Sequence, residues 1–597
     1  MNLPLLPWLK DVRLNSQTLT GDLSAAVVVT LMLIPQSLAY ALLAGMPAHV
    51  GLYASVLPLI AYALFGRSPA LAVGPVAIAS VMTFDALLPF FTPGSPEWVA
   101  GGMFLAIASG LFLMVFGFLR FGFIAALLSH PVMSGFVSGA AILIILGQIK
   151  TLTGIPVTGG TAIDQLQQLL ANLGDINVVT LTVGLSTFVL LLLARRFAGR
   201  LFKQMGMRGL GLEILTKASP LVMIGIVTLV LVATGFDGST KTVGSVPAGL
   251  PMLALPPMTS AYSGLVISAL LIGVVGFIES VSMARAIGRI RQVPTDPDAE
   301  LRGLGAANVL SGLSGAFPVT GGLSRSVVNL DAGARTPLAG VFSAGLMVLV
   351  LLGAGQYLAA LPLASLAALI IVAIWALFDW RTLRECIRFD RADAAGWLVT
   401  FLGVLTLGVE HGIMLGIALS VGTVLWRQSR PHIAVIGRLP GSEHFRNVHR
   451  HQVETLENTL FLRVDANLFF ANWDRVREFI DQQSHALSAG GQLVLSMASV
   501  SDIDSTALDG LQSLARDLKT REIGLSLCEV KGPISDKLKR AHLSGQVDTH
   551  LSNHEAFETI KSKGHAIISS RKSAVFDSAD IDNDANSAKT ANAGDKL

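Results

Sequence analysis

Charged side chains are scarce in this 597-residue chain: 14% of residues are Asp, Glu, Lys or Arg, against about 25% in an average soluble domain. That scarcity excludes an ordinary water-soluble protein, whose surface needs charge to stay solvated. The net charge of +3 is too small to hold a nucleic acid. Two cysteines, Cys386 and Cys528, lie too far apart in sequence to form a metal or redox motif. The chain lacks a phosphate-cradling Walker loop, a cluster of metal ligands and a nucleophile–base–acid pattern. Neither ATP hydrolysis, covalent catalysis nor a cofactor is therefore expected. The opening MNLPLLPWLKDVRLN has no apolar core followed by a small-residue cleavage site, so no removable signal peptide is expected.

What is present is apolar. Hydrophobic residues make up 52% of the chain and the mean hydropathy is +0.63. Runs such as LSAAVVVTLMLIPQSLAYALLAG and LVISALLIGVVGFI crowd residues 1–430. A membrane helix needs about 20 apolar residues, so this region has room for roughly 12 to 14 crossings. Spans are expected near 22–44, 50–65, 71–85, 98–118, 123–149, 177–194, 218–235, 262–284, 300–315, 323–333, 337–353, 357–378, 393–409 and 411–426. With the N-terminus inside, 21 of the 24 Lys and Arg residues in 1–430 fall on the cytoplasmic side. The exceptions are Lys150, Lys241 and Arg325. A wrong span count would scatter the arginines of ARRFAGRLFKQMGMR and DWRTLRECIRFDR, so both termini are expected inside. Residues 431–569 read differently, with strand-like TLFLRVDA, QLVLSMA and IGLSLCEV alternating with amphipathic helical stretches. That alternation predicts a small cytoplasmic α/β domain with a mixed sheet. The tail 570–597 is polar and is expected to be disordered.

Two stretches are too broken for regular spans: LAVGPVAIASVM (71–82) and GGLSRSVVNL (321–330). Interrupted segments in corresponding halves point to a transporter's binding site. A half-helix beginning mid-membrane offers free amides and a positive dipole end to an anion. The second stretch adds Ser324, Arg325 and Ser326. The plain alternative is that these glycines only let helices pack closely. Placement of the polar pairs weighs against it. Gln36–Ser37 precedes Gly74 by 38 residues, and Glu279–Ser280 precedes the second break in the same way, with Ser324 45 residues after Glu279. The spacing reads as one unit used twice, seven spans apart, and an odd span number inverts the second copy. Glu279 itself ends a 37-residue uncharged run, Thr242–Ile278. An intramembrane carboxylate is costly unless it functions. It either loads and releases a proton, or forms a static ion pair with Arg325.

The motifs GDLSAAVVVTLMLIPQSLAYALLAGMP, LAVGPVAIAS, GFIESVSMARA, LRGLGAANVLSGLSGAFPVTGGLSRSVVNLDAGARTPLAG and RPHIAVIGRLPG resemble the sulfate permease (SulP) family. The resemblance covers about residues 15–565. It implies fourteen spans as two inverted seven-helix repeats, forming core and gate domains, followed by a STAS domain. It also implies homodimers and an elevator-like movement of the core. By position it assigns the anion site to Gln36, to Gly74, Pro75 and Val76, and to Ser324, Arg325 and Ser326, with Glu279 coupling a proton. VSDIDSTALDGLQSL places Ser505 where related soluble STAS proteins are phosphorylated; an N-cap role for it is the competing reading.

The sequence departs from the family pattern at three places. Val50 replaces the tyrosine before GLY, and GRSP (66–69) replaces a GTSR-like run. Ser496 stands for an acid in the STAS strand. The sodium-coupled bicarbonate branch resembles an Asp followed four residues later by a hydroxyl. Here Glu279 is followed by Met283, a poor sodium ligand, which favours proton coupling. The expected function is proton-coupled symport of a small oxyanion, sulfate first, across a bacterial inner membrane or plasma membrane. Bicarbonate or C4-dicarboxylate transport is the nearer alternative, and an anion channel or STAS-linked sensor the more distant one. The expected partners are the anion, a proton, membrane lipid, a second copy of the chain and a cytoplasmic protein on the STAS domain.

Overall fold

The computed structural model describes residues 6–569 apart from 11, 13, 127–128, 156–160, 245, 248 and 544. The expected disordered tail lies outside the described residues. The chain divides into two compact units, Met1–Val421 and Gly422–Leu597, and the division falls within the helix Val409–Ser429.

In the first unit the apolar runs become helices. Among the described residues nine helical stretches, from Ser16–Leu43 to Val409–Ser429, are long and apolar enough to cross a bilayer, two of them, Ala48–Phe65 and Leu363–Phe389, with an internal break. The other five expected stretches also carry helices, but of 17 residues or fewer: Ala77–Leu87, Pro297–Leu313, Leu323–Asp331, Leu338–Gly353 and Arg391–Leu407. Local chemistry sets several of the starts. The Asn15 side chain accepts the Thr18 N–H at 2.8 Å while the Thr18 hydroxyl accepts the Asn15 N–H at 2.9 Å, a reciprocal cap on Ser16–Leu43. Asp296 accepts the N–H groups of Asp298 and Ala299 at 3.0 and 3.1 Å, with Pro297 in the first helical position. Small residues then let helices touch backbone to backbone. A Cβ on Gly110 would stand 2.6 Å from the Gly305 carbonyl, so Pro96–Phe118 and Pro297–Leu313 pack without side chains between them there.

The two broken stretches do not lie apart. Val73–Gly74 and Thr320–Gly321 form a two-stranded antiparallel pair, Val73 opposite Gly321 and Gly74 opposite Thr320. Each is followed at once by a half-helix, Ala77–Leu87 and Leu323–Asp331. Non-helical backbone at membrane depth needs protein partners for its polar groups. Here each break partners the other.

The second unit is the expected α/β domain with more strands than the three read from sequence. Thr459–Val464, Gln492–Ser496, Gly524–Cys528 and Asp548–His550 run parallel, while Ile433–Arg438 adds antiparallel to the first of these. Short strands Phe445–Asn447, Glu454–Leu456 and Ile567–Ser569 complete the antiparallel side. Helices Trp473–Ser484 and Ser505–Thr520 bury Val476, Ile480, Leu511 and Leu514 in one core.

Candidate functional site

The site is built by polar side chains that brace the paired breaks. The Ser280 hydroxyl accepts the Gly321 N–H at 2.8 Å and shares a 2.7 Å hydrogen bond with the Thr320 hydroxyl. Asn308 clamps Val319 twice, donating to its carbonyl at 2.8 Å and accepting its N–H at 2.9 Å. The Ser326 hydroxyl accepts the Ala72 N–H at 2.9 Å, and Asn329 donates to the Ala70 carbonyl at 3.0 Å. Residues of the second half-helix thus hold the first break in place.

Both half-helices open without a side-chain cap. Val76 and Gly322 occupy the cap positions in extended conformation, and no side chain accepts a first-turn N–H at either end. Two positive dipole ends are left available. Arg325 lies between the two breaks and is only 2% exposed. A Cβ on Gly74, whose φ is +154°, would stand 3.4 Å from both Nη atoms; a Cβ on Gly322 would stand 2.9 Å from Nε and Nη2. Glycine at both breaks is what lets the guanidinium lie against the backbone. Its Nη1 and Nη2 are buried and have no hydrogen-bond partner among the described residues.

Glu279 Oε2, on the helix Tyr262–Arg291, is likewise buried and unpartnered. The Glu279 and Arg325 side chains are within electrostatic reach of each other. Neither a hydrogen bond nor a direct ion pair joins them, so the static pair considered from sequence is not formed. Burying a cation with free donors costs several kcal/mol unless an anion or water satisfies it. The centre holds one unsatisfied cation, two helix N-termini and one carboxylate, a donor-rich surrounding that suits a small anion.

The other expected residues distribute as follows. Gln36 lies half-buried on Ser16–Leu43, which packs directly against both half-helices. Pro35 before it lies inside that helix and has no N–H to bond the Leu31 carbonyl. Gly74, Pro75 and Val76 are all buried where the first half-helix opens, while Ser324 is exposed near the start of the second. Ser326 differs from expectation in degree: its lone pairs already serve Ala72, which leaves its proton to offer. Ser505 is exposed in the first helical position, and the cap on Ser505–Thr520 is Asp504, which accepts the Ala507 N–H at 2.8 Å.

Sequence reasoning missed Tyr40, one turn beyond Gln36 on the same helical face, whose phenol lies within electrostatic reach of both Arg325 and Glu279. It also missed two fully buried carboxylates. Asp22 accepts the N–H groups of Arg335 and Thr336 at 2.6 and 3.0 Å and the Thr336 hydroxyl at 2.6 Å. Glu300 accepts the Tyr62 hydroxyl at 2.7 Å and the Ser68 N–H at 2.9 Å. One fastens the loop after the second half-helix, the other the loop before the first break. The signal for both was the one used for Glu279, a carboxylate in a charge-poor chain.

A multi-pass helical protein with two broken helices meeting beside a buried cation has the architecture of a secondary membrane transporter. Comparison with known proteins gives the family. Residues 19–400 match the Sulfate permease family and residues 450–556 the STAS domain, and the chain belongs to the sulfate permease family. It is 32% identical to "Sulfate transporter 4.1, chloroplastic" of Arabidopsis thaliana over 554 residues, covering 91% of this chain and 78% of that one. It is also 32% identical to "Probable sulfate transporter MT1781" of Mycobacterium tuberculosis over 536 residues, covering 89% and 92%. The fold resembles that of the murine Solute Carrier 26 family member A9 anion transporter in the inward-facing state. The TM-score is 0.85 at 21% identity, over 94% of both chains.

Proposed function

We propose that this protein is a secondary active transporter that carries a small oxyanion, sulfate first, together with a proton. The observation that carries the reading is the buried Arg325 guanidinium with two unpartnered Nη atoms between two uncapped half-helix N-termini. The names of the similar plant and mycobacterial proteins support sulfate among the oxyanions. In this reading Gln36, Gly74, Pro75, Val76, Ser324, Arg325 and Ser326 surround the anion. Tyr40 closes the same face, and Glu279 takes up a proton when the anion enters. The doubly braced pair of breaks favours moving the site as one body, an elevator-type step, in a dimer whose termini face the cytoplasm of a bacterial cell. A transport domain over 1–430, a STAS domain over 431–569 and an exposed phosphoacceptor at Ser505 complete the proposal.

The test is uptake of labelled sulfate, bicarbonate and fumarate by the full-length protein in proteoliposomes under imposed pH or sodium gradients. Saturable sulfate accumulation driven by inward proton flow is expected. Glu279→Gln is expected to abolish accumulation while leaving downhill exchange. Retained pH-driven accumulation in that variant would remove Glu279 from coupling. Non-saturating flux would identify a channel instead.

A further inference from the structure

The apolar stretch Leu363–Phe389 is not one straight span. The backbone leaves helical geometry at Phe378 (ψ 114°) and Asp379 (ψ 82°), and a separate helix, Trp380–Phe389, follows. Its start is fastened to the protein. Asp379 caps it by accepting the Thr382 N–H at 3.1 Å and also accepts the Ser134 hydroxyl at 3.1 Å; its own N–H donates to the Ser138 hydroxyl at 3.1 Å.

Three faces of this helix carry three chemistries, as a period of 3.6 residues dictates. Thr382 and Cys386, one turn apart, are buried against the protein. On the next face are Trp380, Leu383 and Ile387, of which Trp380 is 50% and Ile387 62% exposed, with Trp375 72% exposed just before the bend. Beside that apolar face stand the exposed Arg384 and Arg388, again one turn apart. Arg381 is held by Glu385 at 2.8 Å. No carboxylate of the described residues pairs with Arg384 or Arg388.

A water-exposed helix has no reason to expose tryptophan and isoleucine, and a helix buried in hydrocarbon has no reason to carry two unneutralised arginines. The geometry points to Trp380–Phe389 as an in-plane membrane-surface helix whose Arg384 and Arg388 bind the phosphate groups of anionic phospholipids. Trp375, Trp380 and Ile387 enter the acyl boundary beneath those headgroups. Charge complementarity selects the occupant: two free cations next to an apolar edge match a headgroup phosphate above its own acyl chain. Each arginine near an anionic surface strengthens attraction by roughly a factor of five, so the pair gives about 25-fold preference for anionic over zwitterionic lipid.

The experiment uses the full-length protein in nanodiscs containing brominated phosphatidylglycerol or brominated phosphatidylcholine. The readout is the quenching of Trp380 emission, isolated as the difference between wild type and Trp380→Phe. Quenching at about 25-fold lower mole fraction of the brominated anionic lipid is expected. Arg384→Gln/Arg388→Gln should bring the two lipids level, whereas Arg384→Lys/Arg388→Lys should keep most of the preference. Equal quenching by both lipids in the wild type would overturn the proposal, because the helix would then be merely lipid-facing. Loss of the preference on adding millimolar inorganic phosphate would assign the arginines to a soluble anion. Absence of quenching by either lipid would mean that a second copy or another protein covers the helix, and would equally overturn it.

Discussion

Two arginines divide this molecule. Arg325 sits between the broken helices of the first unit with both Nη atoms unpartnered. Arg438, in the second unit, is saturated: it bonds Glu454 at 2.7 and 3.0 Å, reaches Glu558, and stacks over the Phe557 ring with its centroid 4.1 Å away. Both side chains are shielded from water, yet each nitrogen of one has a carboxylate partner while both Nη atoms of the other have none. A saturated cation stabilises a fold, whereas a buried cation left unsatisfied costs stability and persists where something that comes and goes completes it. Unpaired charge is therefore the better guide to a candidate site in this protein.

Removing Arg325 should break the contrast most severely. Arg325→Ala is expected to raise the half-saturating sulfate concentration by about 100-fold or more, the loss of a charge-assisted pair of hydrogen bonds. Isotope-uptake curves in proteoliposomes would measure it, and an unchanged value would place the anion elsewhere. A subtler break leaves the charge and displaces it. Gly322→Val puts a side chain where Arg325 Nε and Nη2 now lie, 2.9 Å from the Cβ position. About tenfold weaker sulfate uptake with normal expression is the expected outcome of the same assay.

The smallest effect belongs to the saturated arginine. Arg438→Met should lower the stability of the strand Ile433–Arg438 by about 1–2 kcal/mol, read by amide hydrogen exchange, with little change in sulfate affinity. Its pH signature follows from Glu558, whose carboxyl the Arg438 hydrogen bond holds below its usual range. A depressed acid contributes stability above its ordinary value and loses that contribution as pH falls through the lowered one. Acidification should loosen this strand edge in the wild type and do so less in Arg438→Met.

Much of this was legible in the sequence because hydropathy and helix breaking are local properties. Each stretch expected to span carries a helix, and the interruptions at 71–82 and 321–330 are where the backbone leaves the helix. The partnerships were not legible. Ser326 read as an anion ligand, and nothing in the sequence showed that its hydroxyl also accepts the N–H of Ala72, 254 residues away. Asp22 reaches Thr336 across 314 residues and Glu300 reaches Tyr62 across 238. Nothing in the spacing along the chain encodes those distances. Gln36 implied Tyr40 by helical period, but only the fold turns that face towards Arg325. In the second unit, periodicity revealed two helices and three strands; it missed the helices Gly532–Arg540 and Asn553–Ser562 and the six-residue strand Ile433–Arg438, while the three-residue strands were too short to carry a period.

The pairing of Val73 with Gly321 also sets a schedule for the newborn chain. Those residues are 248 positions apart, and ribosomes add roughly 5–20 residues per second. For on the order of 10–50 s the first break is therefore made but has no backbone partner. During that interval its exposed amides must be sheltered by water or by the insertion machinery. A delay between the two halves of synthesis would thus do its damage at residues 71–76, long before any anion is met.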